Sequence, residues 1–281
     1  MPADDMLLET RGLTVRYGGV LAVDDASLRV SKGRITGLIG PNGAGKTSLV
    51  DAVTGFTPSS GEVLLGGAPA HRWPAHRRSR AGLARTWQSL ELFDELTVAQ
   101  NVLVAARRLT VGSVFADLWR PRRSAAEPAV ATALDRVGLG DVADRRPGEL
   151  PLGRRKLLGV ARALAAVPQV LLLDEPAAGL DTGESQELGR RLRGLADEGT
   201  GILLIDHDMG LVLDVCDDVY VLEFGRVIAH GTPAEIRADE QVVAAYLGDS
   251  AQPPNTEVAE AAAEGPRPAA EAAGRQKEGH R

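Results

Sequence analysis

The chain has 281 residues, 44% hydrophobic and 25% charged, which is enough to bury a core in one domain with a sub-lobe or in two small domains. A formal net charge of −6 argues against broad nucleic-acid binding, which usually needs a basic surface. The single cysteine, Cys216, excludes an internal disulfide, and no apolar stretch approaches the roughly 20 residues of a membrane span. We therefore expect a cytosolic protein that reaches a membrane only through a partner.

The first part of the chain predicts β structure around a glycine-rich loop. Two strand-like segments, 7–17 and 22–30, flank a Gly18-Gly19 turn and predict an antiparallel element. The apolar run Ile35–Ile39 then predicts a buried strand, which leads into the loop and a helix beyond it. Another short strand is expected at 61–66.

The glycine-rich loop is the most informative feature of the sequence. Strand, glycine loop and helix are the context of a P-loop, in which backbone N–H groups and a helix N-terminus surround a phosphate. In that arrangement Lys46 reaches the β- and γ-phosphates, and the Thr47 hydroxyl binds Mg²⁺. A glycine turn that fits the pattern by chance is the alternative, but the flanking elements favour nucleotide binding. The candidate phosphate-binding residues are Gly40, Pro41, Asn42, Gly43, Ala44, Gly45, Lys46, Thr47 and Ser48.

The rest of the chain alternates between helical and β patterns. The Ala- and Arg-rich region from about 73 to 147 predicts a helical lobe inserted into an α/β core. The apolar runs 170–173 and 202–205 predict strands buried on both faces of a parallel sheet. A hairpin is expected over 219–229, followed by a helix from Thr232 to about residue 247. The tail over 249–281 is rich in Ala, Glu and Pro and is expected to be disordered.

Two adjacent carboxylates, Asp174 and Glu175, follow the run 170–173 directly. A carboxylate at the C-terminal end of a parallel strand lies at the edge where ligands bind. Asp174 is therefore a candidate Mg²⁺ ligand, and Glu175 is a candidate to polarise the water that attacks the γ-phosphate. Such a pair is often only part of a solvated loop, but its place after a buried strand and downstream of a P-loop favours the catalytic interpretation.

Taken in order, these motifs resemble an ABC-type ATPase nucleotide-binding domain. The resemblance covers about 7–248, with a helical subdomain at about 89–165, and implies a mostly parallel core sheet, an antiparallel β subdomain and an inserted helical subdomain. It also implies ATP and Mg²⁺ as cofactors and two domains that sandwich two ATP molecules head to tail. The motifs that carry it are Gly40–Thr47, Gln88, Leu150–Arg154, Asp174-Glu175-Pro176, Gly179-Leu180-Asp181 and His207.

The resemblance assigns further roles to single residues. Tyr17 corresponds to the aromatic residue that stacks on adenine, and Gln88 to the glutamine that contacts Mg²⁺ and water and signals to the permease. Asp181 corresponds to the aspartate at the dimer seam, and His207 to the histidine that touches the γ-phosphate. Each has an ordinary alternative, as a strand-end aromatic, a loop amide or a surface histidine, but together they favour the family roles.

The signature stretch Leu150-Pro151-Leu152-Gly153-Arg154 departs from the family's Leu-Ser-Gly-Gly-Gln. Pro151 lacks both the hydroxyl and the N–H that the usual serine offers to the opposite ATP. Gly153 is retained, and the basic residues that follow it oppose the helix dipole, which a bound anion would relieve. We expect this helix to meet a partner's ATP, more weakly or with Arg154 replacing the lost contact; a solvated basic turn is the alternative.

Further resemblance is to the ATP-binding subunits of branched-chain amino acid importers, the LivG type. It is carried by 33–40, by 84–98 and by the end 231–248. It implies a second ATPase subunit, transmembrane permeases, an extracytoplasmic solute-binding protein reached indirectly, no nucleic acid, and a place on the cytosolic face of the membrane. Since the solute does not touch this subunit, an ATPase for lipid export or for another small solute such as urea stays open.

Two alternatives concern surfaces and function class. The basic runs 72–78 and 119–123 are either solvated surfaces of the helical lobe or, for the second, a segment near anionic lipid or the permease. A soluble ABC protein of repair or translation, or an inert subunit, competes with the transport ATPase. The single P-loop and the intact Lys46, Asp174, Glu175 and His207 favour the transport ATPase.

Overall fold

The structure, a computed structural model, describes residues 5–87, 91–106, 127–207 and 209–249. Within these ranges the strands form an antiparallel sheet of order β2-β1-β4-β5 and a mostly parallel sheet of order β10-β9-β3-β8-β7-β6. The strands are β1 (Met6–Tyr17), β2 (Val20–Ser31), β3 (Ile35–Ile39), β4 (Ser60–Leu65), β5 (Ala68–Pro69), β6 (Leu83–Arg85), β7 (Val170–Asp174), β8 (Gly201–Ile205), β9 (Asp218–Glu223) and β10 (Arg226–Gly231).

The helices of the described ranges surround the parallel sheet or belong to the inserted region. No helix among these residues is long and apolar enough to cross a membrane. Short 3₁₀ turns occur at Gly140–Val142 and Pro147–Glu149. The α-helices are α1 (Lys46–Thr54), α2 (Ala75–Arg80), α3 (Val98–Ala106), α4 (Glu127–Arg136), α5 (Leu152–Leu164), α6 (Thr182–Asp197), α7 (Met209–Val215), α8 (Pro233–Ala238) and α9 (Glu240–Asp249).

The apolar runs predicted as buried strands lie at the centre of the molecule. Leu171 and Leu173 of β7 pack into one hydrophobic cluster with α5 and α6, whereas Leu172 points into a second cluster with α1 and the antiparallel sheet. Alternate residues of one strand thus enter opposite layers, which explains why the run is continuously apolar. The prediction of strands buried on both faces is confirmed.

The parallel sheet brings three chain segments to one edge. Strands β3, β8 and β7 run parallel and pair in that order, with Asp174 opposite Ile205 in the register. Their C-terminal ends therefore coincide, and the segments that follow them meet there. These are the glycine-rich loop after β3, Asp174 and Glu175 at the end of β7, and Asp206-His207 after β8.

Two expectations about secondary structure need correction. The region 73–147 is not helical throughout, because Leu83–Arg85 forms edge strand β6, paired parallel to β7. The expected single helix from Thr232 to about residue 247 is two helices, since Asp239 has an extended backbone (φ −78°, ψ 116°). The Asp239 carboxylate accepts the N–H groups of Gln241 and Val242 and so begins the second helix.

Other expectations are confirmed or untested. Strands β9 and β10 form the predicted antiparallel hairpin, and Thr232 and Glu235 form the predicted capping box. Cys216 is a free, buried cysteine, and its burial raises the pKa of the thiol. The tail over 250–281 and Gln88 lie outside the described residues, and the subdomain boundaries 7–248 and 89–165 stay predictions.

Candidate nucleotide-binding site

The glycine-rich loop Gly40–Thr47 joins β3 to the first turn of α1. Gly45 is the N-cap residue and has a left-handed backbone (φ 100°, ψ 8°). Because glycine carries no side chain to cap the helix, the first N–H groups of α1 are presented at the loop. Together with the positive end of the helix dipole, this arrangement suits a phosphate group.

Close backbone packing explains why two positions of the loop must be glycine. A Cβ atom on Gly45 would lie 2.2 Å from the carbonyl oxygen of Ala22, and one on Gly40 would lie 2.0 Å from that of Leu222. A Cβ atom on Gly43 would meet nothing within 4 Å, although its φ of 80° also favours glycine. The loop is therefore held between β2 and the end of β9.

Lys46 is the first residue of α1, and its side chain folds back over the loop. The ammonium group is buried and donates hydrogen bonds to the carbonyl oxygens of Gly40 (2.6 Å) and Pro41 (3.0 Å). Thr47 is exposed and Ser48 is half-buried in the same first turn. A cation and two hydroxyls thus accompany the N–H groups at this end of the helix.

The turn of the β9–β10 hairpin supports the loop from the other side, a contact that the sequence did not indicate. Gly225 donates its N–H to the carbonyl oxygen of Ala44 (2.9 Å) and accepts the N–H of Asp24 (2.8 Å). Arg226 also pairs with the Asp24 carboxylate. These long-range contacts fix the loop to both sheets.

Asp174 and Glu175 take the positions that the sequence predicted, at the end of β7. Asp174 is buried at 6% exposure and accepts a hydrogen bond from Arg85 (2.8 Å). Glu175 leaves the strand with a left-handed backbone (φ 48°), while its N–H donates to the carbonyl oxygen of Ile205 (2.7 Å). The Asp174 carboxylate is therefore buried at the sheet edge, whereas the Glu175 side chain keeps 19% exposure.

Arg85 is a buried cation in the site, and no feature of the sequence assigned it a role there. It also pairs with Asp51 of α1, so one guanidinium joins the helix of the glycine-rich loop to the end of β7. Asp51 and Asp174 lie 34 and 89 positions from Arg85 along the chain, and no local sequence pattern predicts contacts at such distances.

His207 faces Glu175 from the end of β8. Its Nδ1 atom lies 3.7 Å from a Glu175 carboxylate oxygen, and its side chain is exposed. The fully buried Asp206 accepts the N–H groups of His207 (2.8 Å) and Ala177 (3.1 Å), which fixes the two loops side by side. Asp206 is thus a positioning residue whose role the sequence did not reveal.

The signature turn lies at the start of α5, with Pro151 as its N-cap residue. Gly153 donates its N–H to the carboxylate of Glu184 (3.0 Å), and Glu184 also forms a capping box with Asp181 at the start of α6. Arg154 donates to Asp141 (2.9 Å), an interaction that lowers the pKa of the Asp141 carboxyl. The anion at this helix end is therefore a carboxylate of the same chain.

Tyr17 stands apart from these contacts. Tyr17 is half exposed at the end of β1, and its hydroxyl lies 3.3 Å from that of Thr57. Gln88, the other residue that the family resemblance singled out, lies outside the described residues. Among the described residues, no group of three or more His, Cys, Asp or Glu side chains is arranged to hold a metal ion.

A glycine-rich loop on a helix N-terminus, with a lysine over it and two carboxylates at the neighbouring strand end, defines a P-loop protein that binds nucleoside triphosphates. The family model described as ABC transporter matches residues 23–178, and that of the branched-chain amino acid ATP-binding cassette transporter matches residues 226–252. The chain therefore belongs to the ABC transporter family, as an ATP-hydrolysing cassette.

Individual relatives agree with this assignment. The high-affinity branched-chain amino acid transport ATP-binding protein LivG of Salmonella typhimurium is 41% identical over 251 residues, covering 87% of this chain and 98% of the relative. BraF of Pseudomonas aeruginosa, a protein with the same description, is 39% identical over the same shares. A crystal structure of an ABC-transporter cassette in its ADP conformation superposes with a TM-score of 0.77 at 30% identity, covering 86% of this chain and 99% of that one.

Proposed function

We propose that this chain is the ATP-hydrolysing subunit of an importer for branched-chain amino acids, bound to permeases at the cytosolic face of the membrane. The observation that carries the proposal is the meeting of the Lys46 loop, Asp174-Glu175 and His207 at one sheet edge. The match of residues 226–252 to the branched-chain transporter model supports the class of solute.

Within this site, the loop Gly40–Ser48 binds the phosphates of ATP. Its N–H groups and the Lys46 ammonium stabilise negative charge on the β- and γ-phosphates. Tyr17 stacks on adenine, in the role that family resemblance assigns to it. These groups position the γ-phosphate above the mouth of the site, where Glu175 and His207 lie.

The residues present fit a bound Mg²⁺ ion. Mg²⁺ prefers oxygen ligands and usually takes one or two carboxylates or hydroxyls together with substrate phosphates. Thr47 offers a hydroxyl and Asp174 a carboxylate, with Gln88 as a third predicted contact. The ion pairs of Arg85 with Asp51 and Asp174 connect α1, which carries Thr47, to β7, which ends in Asp174. When bound, the ion neutralises charge on the phosphate oxygens.

Glu175 is the group that polarises the attacking water. Its carboxylate is largely buried, at 19% exposure, and lies 3.7 Å from Nδ1 of His207. His207 lies beside it and is placed to contact the γ-phosphate. Since phosphoryl transfer asks mainly for positioning and charge stabilisation, the two side chains act by orienting water and phosphate.

A second cassette completes the site in this proposal. Gly153 and Asp181 would face the partner's ATP across a head-to-tail dimer, and both are hydrogen-bonded to Glu184. Because Pro151 has no N–H to donate, the signature turn of this chain contributes less than the usual serine form. A dimer with a different ATPase would accommodate that asymmetry.

The test is affinity capture from gently solubilised native membranes, using the Glu175→Gln variant with ATP. This variant keeps the site's shape but removes the carboxylate, so turnover should fall by about 10²–10⁴-fold while ATP binding persists. We expect two polytopic permeases and a second ATPase to be recovered. Lys46→Ala is the matched control, in which loss of ATP binding should reduce the ATP-dependent partner.

The identity of the co-purified proteins decides between the candidates. Recovery of an amino acid-binding companion with the permeases supports the proposed solute. Lipid-export components would keep the ATPase chemistry but change the transported molecule. Recovery of soluble partners only, or of ribosomes or nucleic acid, would contradict the transport role.

A further inference from the structure

Arg85 occupies a buried position between the two elements that carry the proposed Mg²⁺ ligands. It is the last residue of edge strand β6, which pairs with β7 so that Arg85 lies opposite Leu172. Its side chain is only 6% exposed and points to the C-terminal edge of the sheet, where Asp174 ends β7. A buried guanidinium requires partners of opposite charge, and two carboxylates supply them.

The guanidinium uses one nitrogen for each carboxylate. One Nη atom donates to Asp174 Oδ2 at 2.8 Å, and the other donates to Asp51 Oδ1. The two carboxylates belong to β7 and α1, elements that meet at the carboxyl edge of the sheet. Arg85 is therefore a cross-link between these elements within the site itself.

Asp51 lies on the same helix, α1, as the proposed metal ligand Thr47. Asp51 follows Thr47 by four residues on α1, and side chains four apart lie on the same face of a helix. Holding Asp51 toward Asp174 thus turns the face of α1 that carries Thr47 toward Asp174. Thr47 and Asp174 are the two described residues proposed to share the metal ion.

We propose that Arg85 is a positioning residue that sets the separation of Thr47 and Asp174 and so builds the Mg²⁺ site. The proposal rests on the proposed function, in which these two residues bind the metal of Mg-ATP. Arg85 donates to Oδ2 of Asp174. Arg85 acts through Asp174 and Asp51 and touches neither nucleotide nor metal.

Arginine is required because the bridge depends on its shape as well as its charge. The planar guanidinium presents several donors in a fixed fork, whereas lysine is a single point charge on a flexible stem. Lysine at this position would keep the net charge of the cluster but reach one carboxylate well and the other poorly. The Arg85→Lys variant therefore separates alignment from electrostatics.

The neighbouring indole reinforces the same geometry. The Arg85 guanidinium carbon lies 4.5 Å from the centre of the Trp87 ring, and Trp87 meets Phe56 edge to face at 5.2 Å. A cation under an aromatic face is stabilised and shielded from water on that side. The cover limits the freedom of the guanidinium and thereby keeps both of its bonds aligned.

The experiment measures nucleotide affinity with and without metal. A non-hydrolysable ATP analogue is titrated into the full chain in excess EDTA and again in excess Mg²⁺, and the ratio of the two dissociation constants is compared. For Arg85→Lys and for Asp51→Ala we expect the Mg²⁺-dependent gain to fall by about 10- to 100-fold, as is common for outer partners of metal ligands. The metal-free affinity should stay close to that of the wild type.

The controls make each result interpretable. Arg80→Lys, an exposed arginine of α2, should leave both constants unchanged, and unfolding transitions of all variants report whether they are folded. Asp51→Ala removes this acceptor without touching Asp174, so it tests the proposal even if the lysine variant is unstable. An unchanged ratio in both bridge variants overturns the positioning role alone, whereas a wild-type chain indifferent to Mg²⁺ overturns the proposed metal site as well.

Discussion

Helices α1 and α5 both begin without a side-chain cap, and the N–H groups at their starts meet different surroundings. Helix α1 starts after Gly45, and α5 starts after Pro151. Neither residue has a side-chain oxygen to accept the first N–H groups, which in most helices a Ser, Thr, Asp or Asn would accept. Each helix start therefore presents N–H groups that attract an anion.

At α1 the chain builds the surroundings of an external anion. The glycines bring the backbone close to β2 and β9, and Lys46 lies over the loop. At α5 the chain supplies the anion itself, since the Glu184 carboxylate accepts the Gly153 N–H. The difference supports the proposal that α1 binds nucleotide, whereas the start of α5 is already bonded to a carboxylate of the same chain.

The largest expected effect distinguishes two glycines of the same loop. Gly45→Ala would force a Cβ atom into the Ala22 carbonyl, so we expect nucleotide affinity to fall by at least ~100-fold, about 2.7 kcal/mol. Gly43→Ala meets no neighbour and should cost only the left-handed backbone, about 1–2 kcal/mol of stability. Fluorescent-nucleotide binding and denaturant unfolding measure the two effects. Equal affinities for both variants would refute the close-packing account of the loop.

The next effect concerns the far end of α1. The buried Arg78 donates to the carbonyl oxygens of Ala52 and Val53 at the end of α1, and to those of Trp73 and His71. Arg78→Met leaves these carbonyls without their donor and should lower the free energy of unfolding by about 2 kcal/mol. The exposed Arg77, changed to Met, is the matched control.

Urea unfolding of the two variants measures this difference. Nucleotide affinity of the folded Arg78→Met protein should change little, because the start of α1 is untouched. If Arg78→Met unfolds at the same midpoint as Arg77→Met, then this cap does not stabilise the helix of the nucleotide site.

A smaller effect is expected at α5. Glu184→Ala removes the acceptor of the Gly153 N–H and half of the capping box with Asp181, and should cost about 1 kcal/mol of stability. Glu187→Ala on the same helix loses only exposed ion pairs with Arg190 and Arg191, worth below about 0.5 kcal/mol. Thermal unfolding compares them, and Glu184→Gln, which keeps an acceptor, should recover part of the loss. Equal destabilisation of the two alanine variants would contradict the assigned role of Glu184.

The smallest effect tests the charge beside the signature turn. Arg154 lowers the pKa of Asp141, so this pair stabilises the fold above the unfolded carboxyl pKa and loses that contribution as the pH falls through the lowered value. In Arg154→Met the pKa of Asp141 should rise toward the usual value of ~3.9. Carboxyl carbon chemical shifts followed through an acid titration measure it, and an unaltered midpoint would show that the two groups do not interact in solution.

The sequence was most informative where one segment contains its own pattern. The glycine loop, the apolar strands 170–173 and 202–205, and the Thr232–Glu235 capping box are local, and the structure has them as predicted. Strand β6 was not predicted because three residues are too few to show the alternation of apolar and polar residues that marks a strand. The break in the helix at Asp239 was not predicted because the aspartate that caps a second helix was taken as part of one continuous helix.

The supporting contacts of the site were beyond sequence reasoning for a different reason. Arg85 meets Asp174 across 89 positions, and Gly153 meets Glu184 across 31. Arg85, Asp174 and Glu184, each taken alone, are indistinguishable from solvated surface residues. Only the pairing of β6 with β7 brings Arg85 to Asp174, and only the contact between the starts of α5 and α6 brings the Gly153 N–H to Glu184.

Calorimetric titration of ATP into the isolated chain tests the central claim that α1, and not α5, is the nucleotide site of this chain. We expect the wild type to bind one nucleotide per chain, Lys46→Ala to lose that binding, and Glu184→Ala to bind as the wild type does. Retained binding in Lys46→Ala together with its loss in Glu184→Ala would place the nucleotide at the signature turn and contradict the account.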